Sequence, residues 1–456
     1  MAQKLKLTFC GGAGVVTGAN FLLENETVKI LVDCGFEQGG KTSHDFNASK
    51  FPYDPKSINY LFITHSHVDH VGRIPKLVKG GFQGKIYSTP ETRELAQLML
   101  EDSAGLLTRE AKRLGIEPLY TDDDIRAAMA LWDGIPYHTA KAIDGGFSVY
   151  LKDAGHVLGS SMIEFTYNGK KIVFTGDLGN SPTPLLKDTE IISDADYMVM
   201  ESVYGDRNHE PKSVRDARFR DVVKETIAKK GTLIIPAFSL DRSQVILYEL
   251  NAMEKNEGVP AVPVFLDSPL GIKVTKIYQR DGKDDFNAVV QKEIADGDNI
   301  FNFPRLRFTT TTDESKAILN ASSPKIVIAG SGMSNGGRIL HHEKNYLPDP
   351  NATLLLIGYE AAGTLGRQLQ EGAKTVTIYG EEIAVNAKIV EISGYSSHKD
   401  SEHLVEFVSH TAKTVKKVFC AMGEPKSSLF LVQRLRDYLN VDAVAPLTGQ
   451  SYELEF

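Results

Sequence analysis

Cysteine is scarce in this sequence. The three present, Cys10, Cys34 and Cys420, are scattered and odd in number. No disulfide framework is built from such a set, and a reducing cytoplasm suits it. None stands in a CxxC pair, which argues against a thiolate zinc site. Long apolar runs are missing too, and no stretch reads as long enough to span a bilayer. The opening MAQKLKLTFCGGAG has no apolar signal-peptide segment and is expected to run directly into a strand. Basic residues are not in excess. The formal net charge of −8 excludes a generally basic coat for nucleic acid. It leaves room for a local basic track, so a polyanion would be held in a defined cleft with help from metal. Low-complexity linkers and internal repeats are also absent. A chain of 456 residues is nevertheless too long for one ordinary core, and its length suggests about three domains of ~150 residues.

What the sequence does have is concentrated in HSHVDH, residues 65–70. Four ligand-type side chains fall within six residues, in a chain with only 12 histidines. The motif follows Tyr60-Leu-Phe-Ile63, an apolar run that reads as a buried strand ending at Thr64. Imidazole and carboxylate suit Zn²⁺ and its borderline neighbours. On an extended chain His65 and His67 can turn toward one point. Asp69 and His70 follow where the chain enters a helix and can face a second point a few ångströms away.

Other candidates lie at the ends of strand-like runs. Runs at 5–9 and 19–23 flank GGAGVVTGAN and predict a hairpin with a wide glycine loop. Val28–Val32 predicts a strand ending at Asp33, beside the histidine motif. Helices are predicted over 91–113 and over 122–132, the second opened by TDDD. Strand-like runs at 147–151, 161–166 and 171–175 lead to His156 in DAGHVLGSS and to Asp177 in Phe174-Thr-Gly-Asp177. A buried strand at 197–200 ends at Glu201. The texture then changes: a basic helix over 212–229, strand 232–235, helix 243–254, and strands 263–266, 325–329 and 353–357. Strands alternating with helices, each strand ending in a Gly- or Ser-rich loop, indicate a parallel α/β unit. Such units bind ligands beyond the carboxyl ends of their strands. Ser331 and Arg338 lie in GSGMSNGGR, and Arg367 lies in GYEAAGTLGR. Guanidinium groups and glycine N–H groups suit phosphate. Alternating β texture returns over 376–392, followed by His398 in GYSSHKD, a helix over 400–409, strand 417–421 and helix 425–438. One fold is interrupted by a second.

With those residues in hand, HxHxDH, the upstream Asp33, the downstream His156 and the later Asp177 resemble the metallo-β-lactamase fold. Glu201 in ESVYGD, the inserted α/β unit and His398 in GYSSHKD resemble its β-CASP branch, a group of RNA and DNA nucleases. The resemblance runs from Gly11 to about Glu455, and GSGMSNGGRILHH and GYEAAGTLGRQL are among its most specific parts. It implies an α/β architecture: a four-layer αββα metallo-β-lactamase fold with an inserted parallel α/β β-CASP domain. The division expected is 1–208 and 376–456 for the metallo-β-lactamase domain and 209–375 for the insert. Neither a KH-type domain ahead of the fold nor an RNase J-type extension behind it is expected.

The resemblance also implies roles. His65, His67 and His156 would bind one zinc; Asp69 and His70 would bind a second, with Asp177 bridging. Asp33 would orient ligands. Glu201 and His398 would protonate the leaving oxygen, and His398, Ser331, Arg338 and Arg367 would meet substrate. The activity implied is a zinc-dependent ribonuclease, endo- or 5′-exonucleolytic. It would cut single-stranded RNA with a metal-activated water, leaving a 5′-phosphate and a 3′-hydroxyl, in RNA processing or decay. The partners implied are single-stranded RNA and, as a homodimer, a second copy of the chain, with no membrane. Two rivals stand beside it: a catalytically weak RNA-binding scaffold, and a small-molecule hydrolase on the same fold. One departure bears on the second zinc. The family's usual "HGE" histidine is matched by Met422 in Phe419-Cys-Ala-Met-Gly-Glu424. A thioether is a poor Zn²⁺ ligand, so the second site is expected to be weaker. Asp241, where relatives often have Gly, has no account.

Overall fold

The computed structural model describes residues 4–39, 43–256, 258–358, 360 and 363–456. Residues 359, 361 and 362 of the GYEAAGTLGR stretch lie outside these. The chain divides into two compact units, one of residues 1–208 with 397–456, the other of 209–396.

The first unit is a sandwich of two seven-stranded sheets. One carries Ser451–Glu455, Lys4–Gly11, Asn20–Glu24, Lys29–Val32, Tyr60–Phe62, Lys85–Ser88 and Trp132–Gly134, in that order. The other runs Ala443–Val444, Lys417–Ala421, Tyr197–Glu201, Lys170–Phe174, Ser161–Tyr167, Ser148–Asp153 and Lys141–Ala142. Successive side chains of a strand point to opposite faces, so a strand buried on both sides is apolar without alternation. The central strands show the consequence. Ile30, Val32, Phe62, Phe165, Phe174, Val199 and Phe419 fill the layer between the sheets. Their neighbours Leu31, Leu61 and Ile63 face the helices Ile74–Lys79, Pro90–Leu114 and Asp122–Ala130. Val173, Met198, Met200, Val418 and Cys420 face the helices Ser401–Ser409 and Pro425–Leu439 on the other side. This is the four-layer αββα arrangement.

The glycine loop behaves as expected, joining Lys4–Gly11 to Asn20–Glu24 as an antiparallel pair. The helix expected over 122–132 stops at Ala130, because Trp132 begins a strand that pairs in parallel with Lys85–Ser88.

The second unit is built on a six-stranded parallel sheet. Its order is Leu306–Phe308, Val264–Asp267, Lys325–Ala329, Thr232–Pro236, Thr353–Leu356 and Lys388–Glu391. The C-terminal boundary expected after residue 375 falls after 396 instead. Lys388–Glu391 pairs in parallel with Thr353–Leu356, and the hairpin Thr375–Ile378/Glu381–Ala384 contributes Val376, Ile378 and Ile383 to this unit's core. Alternating β texture gave a strand but not its sheet, since pairing partners are set by long-range burial. The helices Pro269–Asp281, Ala288–Ala295 and Ile339–Tyr346 were not anticipated.

Candidate metal centre

The first unit gathers its candidates at the ends of neighbouring strands. Tyr60–Phe62 leads into the histidine motif, whose last three residues, Val68, Asp69 and His70, lie in the short helix Val68–Val71. Gly35 lets the chain after Lys29–Val32 press against that helix. A Cβ on Gly35 would lie 1.5 Å from the Asp69 carbonyl oxygen, so no side chain fits there. On the other sheet, the chain past Ser148–Asp153 carries His156, the chain past Lys170–Phe174 carries Asp177, and Glu201 ends the strand Tyr197–Glu201.

Four side-chain atoms converge. His65 Nε2 lies 3.0 Å from His67 Nδ1, and His156 Nε2 lies 3.3 Å from that same nitrogen. Asp177 Oδ2 is 3.4 Å from His65 Nε2 and 3.5 Å from His156 Nε2. A tetrahedral ion with ligands at ~2.1 Å has edges of about 3.4 Å, so these spacings suit a small cation such as Zn²⁺. Burial holds the His67 and His156 imidazoles well below their usual range, the neighbouring imidazoles adding to the effect. Their nitrogens are thus lone-pair donors rather than charged groups.

A second set lies beside the first. His70 Nε2 is 3.5 Å from Asp177 Oδ1 and 3.9 Å from Asp69 Oδ2. His70 Nε2 and Asp177 Oδ1 are both buried without a hydrogen-bond partner. Buried polar atoms are rarely left so, and a cation between them would satisfy both. Asp33 explains the direction of His70. His70 Nδ1 donates to Asp33 Oδ2 at 2.7 Å, which aims Nε2 at Asp177 and Asp69. The backbone N–H and the hydroxyl of Thr64 hold the same carboxylate at 2.8 Å each. A carboxylate behind a ligating histidine fixes ring and tautomer. In the same way His156 Nδ1 donates to the Ser397 carbonyl at 3.2 Å, leaving Nε2 for the cluster. Thr64 and Ser397 were not singled out from sequence. A hydroxyl just before the motif was a usable signal; a backbone carbonyl carries none.

Glu201 and His398 also meet. Both Glu201 oxygens lie 3.2 Å from His398 Nδ1, and Asp177 Oδ2 lies 3.9 Å from it. Glu201 accepts the Leu178 N–H at 2.6 Å and is almost fully buried. Burial opposes a charge on His398, but the carboxylates of Glu201 and Asp177 outweigh it and push the imidazole up to about 9. Met422 is buried and lines a small cavity together with Asp33, His70 and Glu201. Its backbone N–H donates to the Gly12 carbonyl at 2.7 Å.

The arginines of the second unit differ from expectation. Arg338 donates through Nη1 to Asp267 Oδ1 at 2.7 Å and to the Thr309 carbonyl at 2.9 Å, and through Nη2 to the Thr310 carbonyl at 3.0 Å. Nη1 and Nη2 are thus engaged within the protein, a bracing role that the sequence did not suggest. Arg367 pairs with Glu371 at 2.7 Å across one helical turn on an exposed face. Ser331 accepts the Asn335 N–H at 3.1 Å within its own loop.

Comparison with known proteins agrees with the site's composition. Residues 13–210 match the metallo-beta-lactamase superfamily, 243–369 the Beta-Casp domain, and 382–446 the Zn-dependent metallo-hydrolase RNA specificity domain. The chain is 34% identical to a ribonuclease of Thermus thermophilus, over 89% of this chain and 91% of that protein. It is 30% identical to an RNase J-like protein of Methanocaldococcus jannaschii, over 97% of this chain and 98% of that one. It is 29% identical to transcription termination factor FttA of Methanosarcina mazei, over 97% and 70%. A solved structure from Enterococcus faecalis, titled as a protein of unknown function, covers 99% of the chain and 100% of its own. Its TM-score is 0.59 at 12% identity, a likeness of fold alone.

Proposed function

We propose, for a chain that belongs to the β-CASP branch of the metallo-β-lactamase superfamily, that it hydrolyses phosphodiester bonds of single-stranded RNA, leaving a 5′-phosphate and a 3′-hydroxyl. Membership implies a bound divalent metal; zinc at two sites is our reading. The observation that carries the proposal is the paired donor set, joined through Asp177, with two buried atoms unsatisfied and the Glu201–His398 pair alongside. The names of the relatives and the RNA specificity match favour RNA as substrate.

His65, His67, His156 and Asp177 would hold the first cation, and Asp69, His70 and Asp177 the second. Cations there would lower the pKa of a water and neutralise the non-bridging phosphate oxygens. The protein's own residues do the rest. Asp33 and Thr64 keep His70 aimed, and the Ser397 carbonyl does the same for His156. Glu201 accepts a hydrogen bond from His398 Nδ1 and orients the protonated ring, so that the ring can deliver a proton to the leaving 3′-oxygen. Met422 supplies no good zinc donor, which leaves the second cation with three protein ligands and a weaker hold. A complete donor set weighs against a scaffold role, since a scaffold has no need of it. The three buried, unpaired cysteines suit a reducing cytoplasm, and among the described residues no helix is long and apolar enough to cross a membrane.

The test is an RNA cleavage assay on the purified protein with and without chelator. Cleavage that chelation abolishes and zinc restores is expected; cleavage indifferent to chelator, or none on any RNA, sinks the reading. Metal content by elemental analysis is expected to show one tightly held zinc and a second lost on dilution.

A further inference from the structure

We propose that Phe238 is a substrate-binding residue, a platform on which an unpaired base of the RNA stacks; the idea rests on the ribonuclease reading above. The second unit's parallel sheet puts its loops where α/β units bind ligands, beyond the carboxyl ends of the strands. Phe238 follows Thr232–Pro236 in such a loop and is 40% exposed. A single exposed apolar side chain needs no explanation in itself. What distinguishes this ring is how it is held. It lies against the backbone of the loop after Lys325–Ala329: a Cβ on Gly332 would meet its Cδ2, Cε2 and Cγ at 2.7, 2.9 and 3.0 Å. The loop after Thr353–Leu356 lies near it, with a Cβ on Gly358 falling 3.8 Å from Cε2. The backbone at Gly332 therefore supports the ring, and no glycine side chain stands over it. An aromatic group fixed in advance loses little freedom on binding, which is the value of preorganisation.

The next residue supplies a hydrogen-bonding group. Ser239 Oγ and Ser268 Oγ lie 3.0 Å apart, and Ser268 Oγ already accepts the Gly271 N–H at 3.0 Å. Whichever hydroxyl donates to the other, one hydroxyl hydrogen is left for a third group. A Cβ on Gly330 would still be 3.7 Å from both oxygens, so that side is not crowded. The acid at the same strand end, Asp267, is turned inward, with Thr309, Ser315, Arg338 and His342 all bonded to it. A held ring beside a spare hydroxyl hydrogen fits the face and edge of a nucleobase. Stacking tolerates any base.

The experiment measures binding of a single-stranded RNA oligonucleotide to the full chain by anisotropy, over a salt series, for the parent, Phe238→Ala, Phe238→Leu and Phe238→Trp. Cleavage of the same RNA and metal content by elemental analysis are followed in parallel. Stacking is worth roughly 5- to 150-fold in affinity. Phe238→Ala and Phe238→Leu are each expected to weaken RNA binding within that range, with an unchanged log–log salt slope, since no phosphate contact is lost. Phe238→Trp should bind at least as tightly as the parent. Metal content should not change. Leu keeps Cγ and Cδ atoms against Gly332 while removing the ring, and denaturant unfolding of each variant reports any packing loss separately. If Leu binds RNA like the parent, or if Trp fails alongside Ala, the ring is only a surface residue and the proposal is overturned. A parent that neither binds nor cuts RNA overturns the ribonuclease reading itself, which is a different result.

Discussion

Two sets of strand ends in this chain carry the same kinds of side chain and do opposite things with them. In the first unit, His65, His67, His70, His156 and Asp177 point their donor atoms at one another, and two of those atoms have no partner. In the second unit, Asp267 is equally buried, yet four donors surround it, and together they hold its carboxyl down to about 2. Acid, histidine and arginine at a strand end thus describe either a site or a brace. The difference lies in whether the acid's oxygens are used up within the protein: Asp177 Oδ1 has no partner, whereas each Asp267 oxygen has two. An open cluster can take a ligand, while a closed one ties loops together, and removing one member of a closed cluster leaves a buried charge unpaired.

That contrast can be broken experimentally. The largest effect is expected at Asp177, which serves both donor sets. Asp177→Ala should release metal, measured by elemental analysis, and lower RNA cleavage by more than the ~10⁴-fold that a lost general acid can account for. A variant that keeps two metals would show the two sets to be independent of this residue. Next comes His398→Ala, expected to slow cleavage by ~10²–10⁴-fold with the first zinc retained. A substrate with sulfur at the scissile 3′ position needs no proton on its leaving group and should recover most of the rate. Loss of zinc, or no recovery, would make His398 a ligand or a clamp.

The closed cluster should respond in stability instead. Asp267→Ala strands Arg338 and His342 and should cost about 3–5 kcal/mol in denaturant unfolding. Arg338→Ala should cost stability too, while RNA affinity of the folded fraction and its salt slope stay put. An affinity loss without a stability loss would return Arg338 to phosphate binding.

The smallest effect sharpens the same contrast by pH. Glu343 and Glu360 are buried in the second unit, with Glu343 Oε2 and both Glu360 oxygens lacking a hydrogen-bond partner. Burial pushes each carboxyl up to about 8; Glu343 and Glu391 add to the rise at Glu360, and the Ser334 hydroxyl resists it at Glu343. An acid with a raised folded pKa binds protons on folding between its usual value of 4.5 and about 8. Stability should therefore fall as pH rises through that window. Glu360→Gln should flatten the fall and leave the protein more stable than its parent at pH 8. An unchanged slope would mean these carboxyls are already neutralised by a partner.

Much of the first unit's site was legible because its ligands lie close in sequence or at strand ends that apolar runs announce. HSHVDH names four candidates by itself, and Asp33, Asp177 and Glu201 each follow an apolar strand. The second unit was legible as alternating strands and helices, but the partners of its arginines were not. Nothing local reveals that Arg338 will meet Asp267, 71 residues earlier, or that Thr309 and Thr310 will offer it their carbonyls. The boundary at 396 was hidden for the same reason: Lys388–Glu391 looks like any short strand until its pairing with Thr353–Leu356 assigns it a sheet.

Residue type, apolar period and spacing determined which strands would be buried, which loops would carry ligands and what chemistry those ligands suit, because these depend on covalent neighbours and on the pleat. Tertiary structure alone decided which polar atoms stay open. Whether His70 Nε2 ends unsatisfied and Arg338 ends bonded to Asp267 depends on partners far away in the chain, brought within about 3 Å only when each unit's core excludes water.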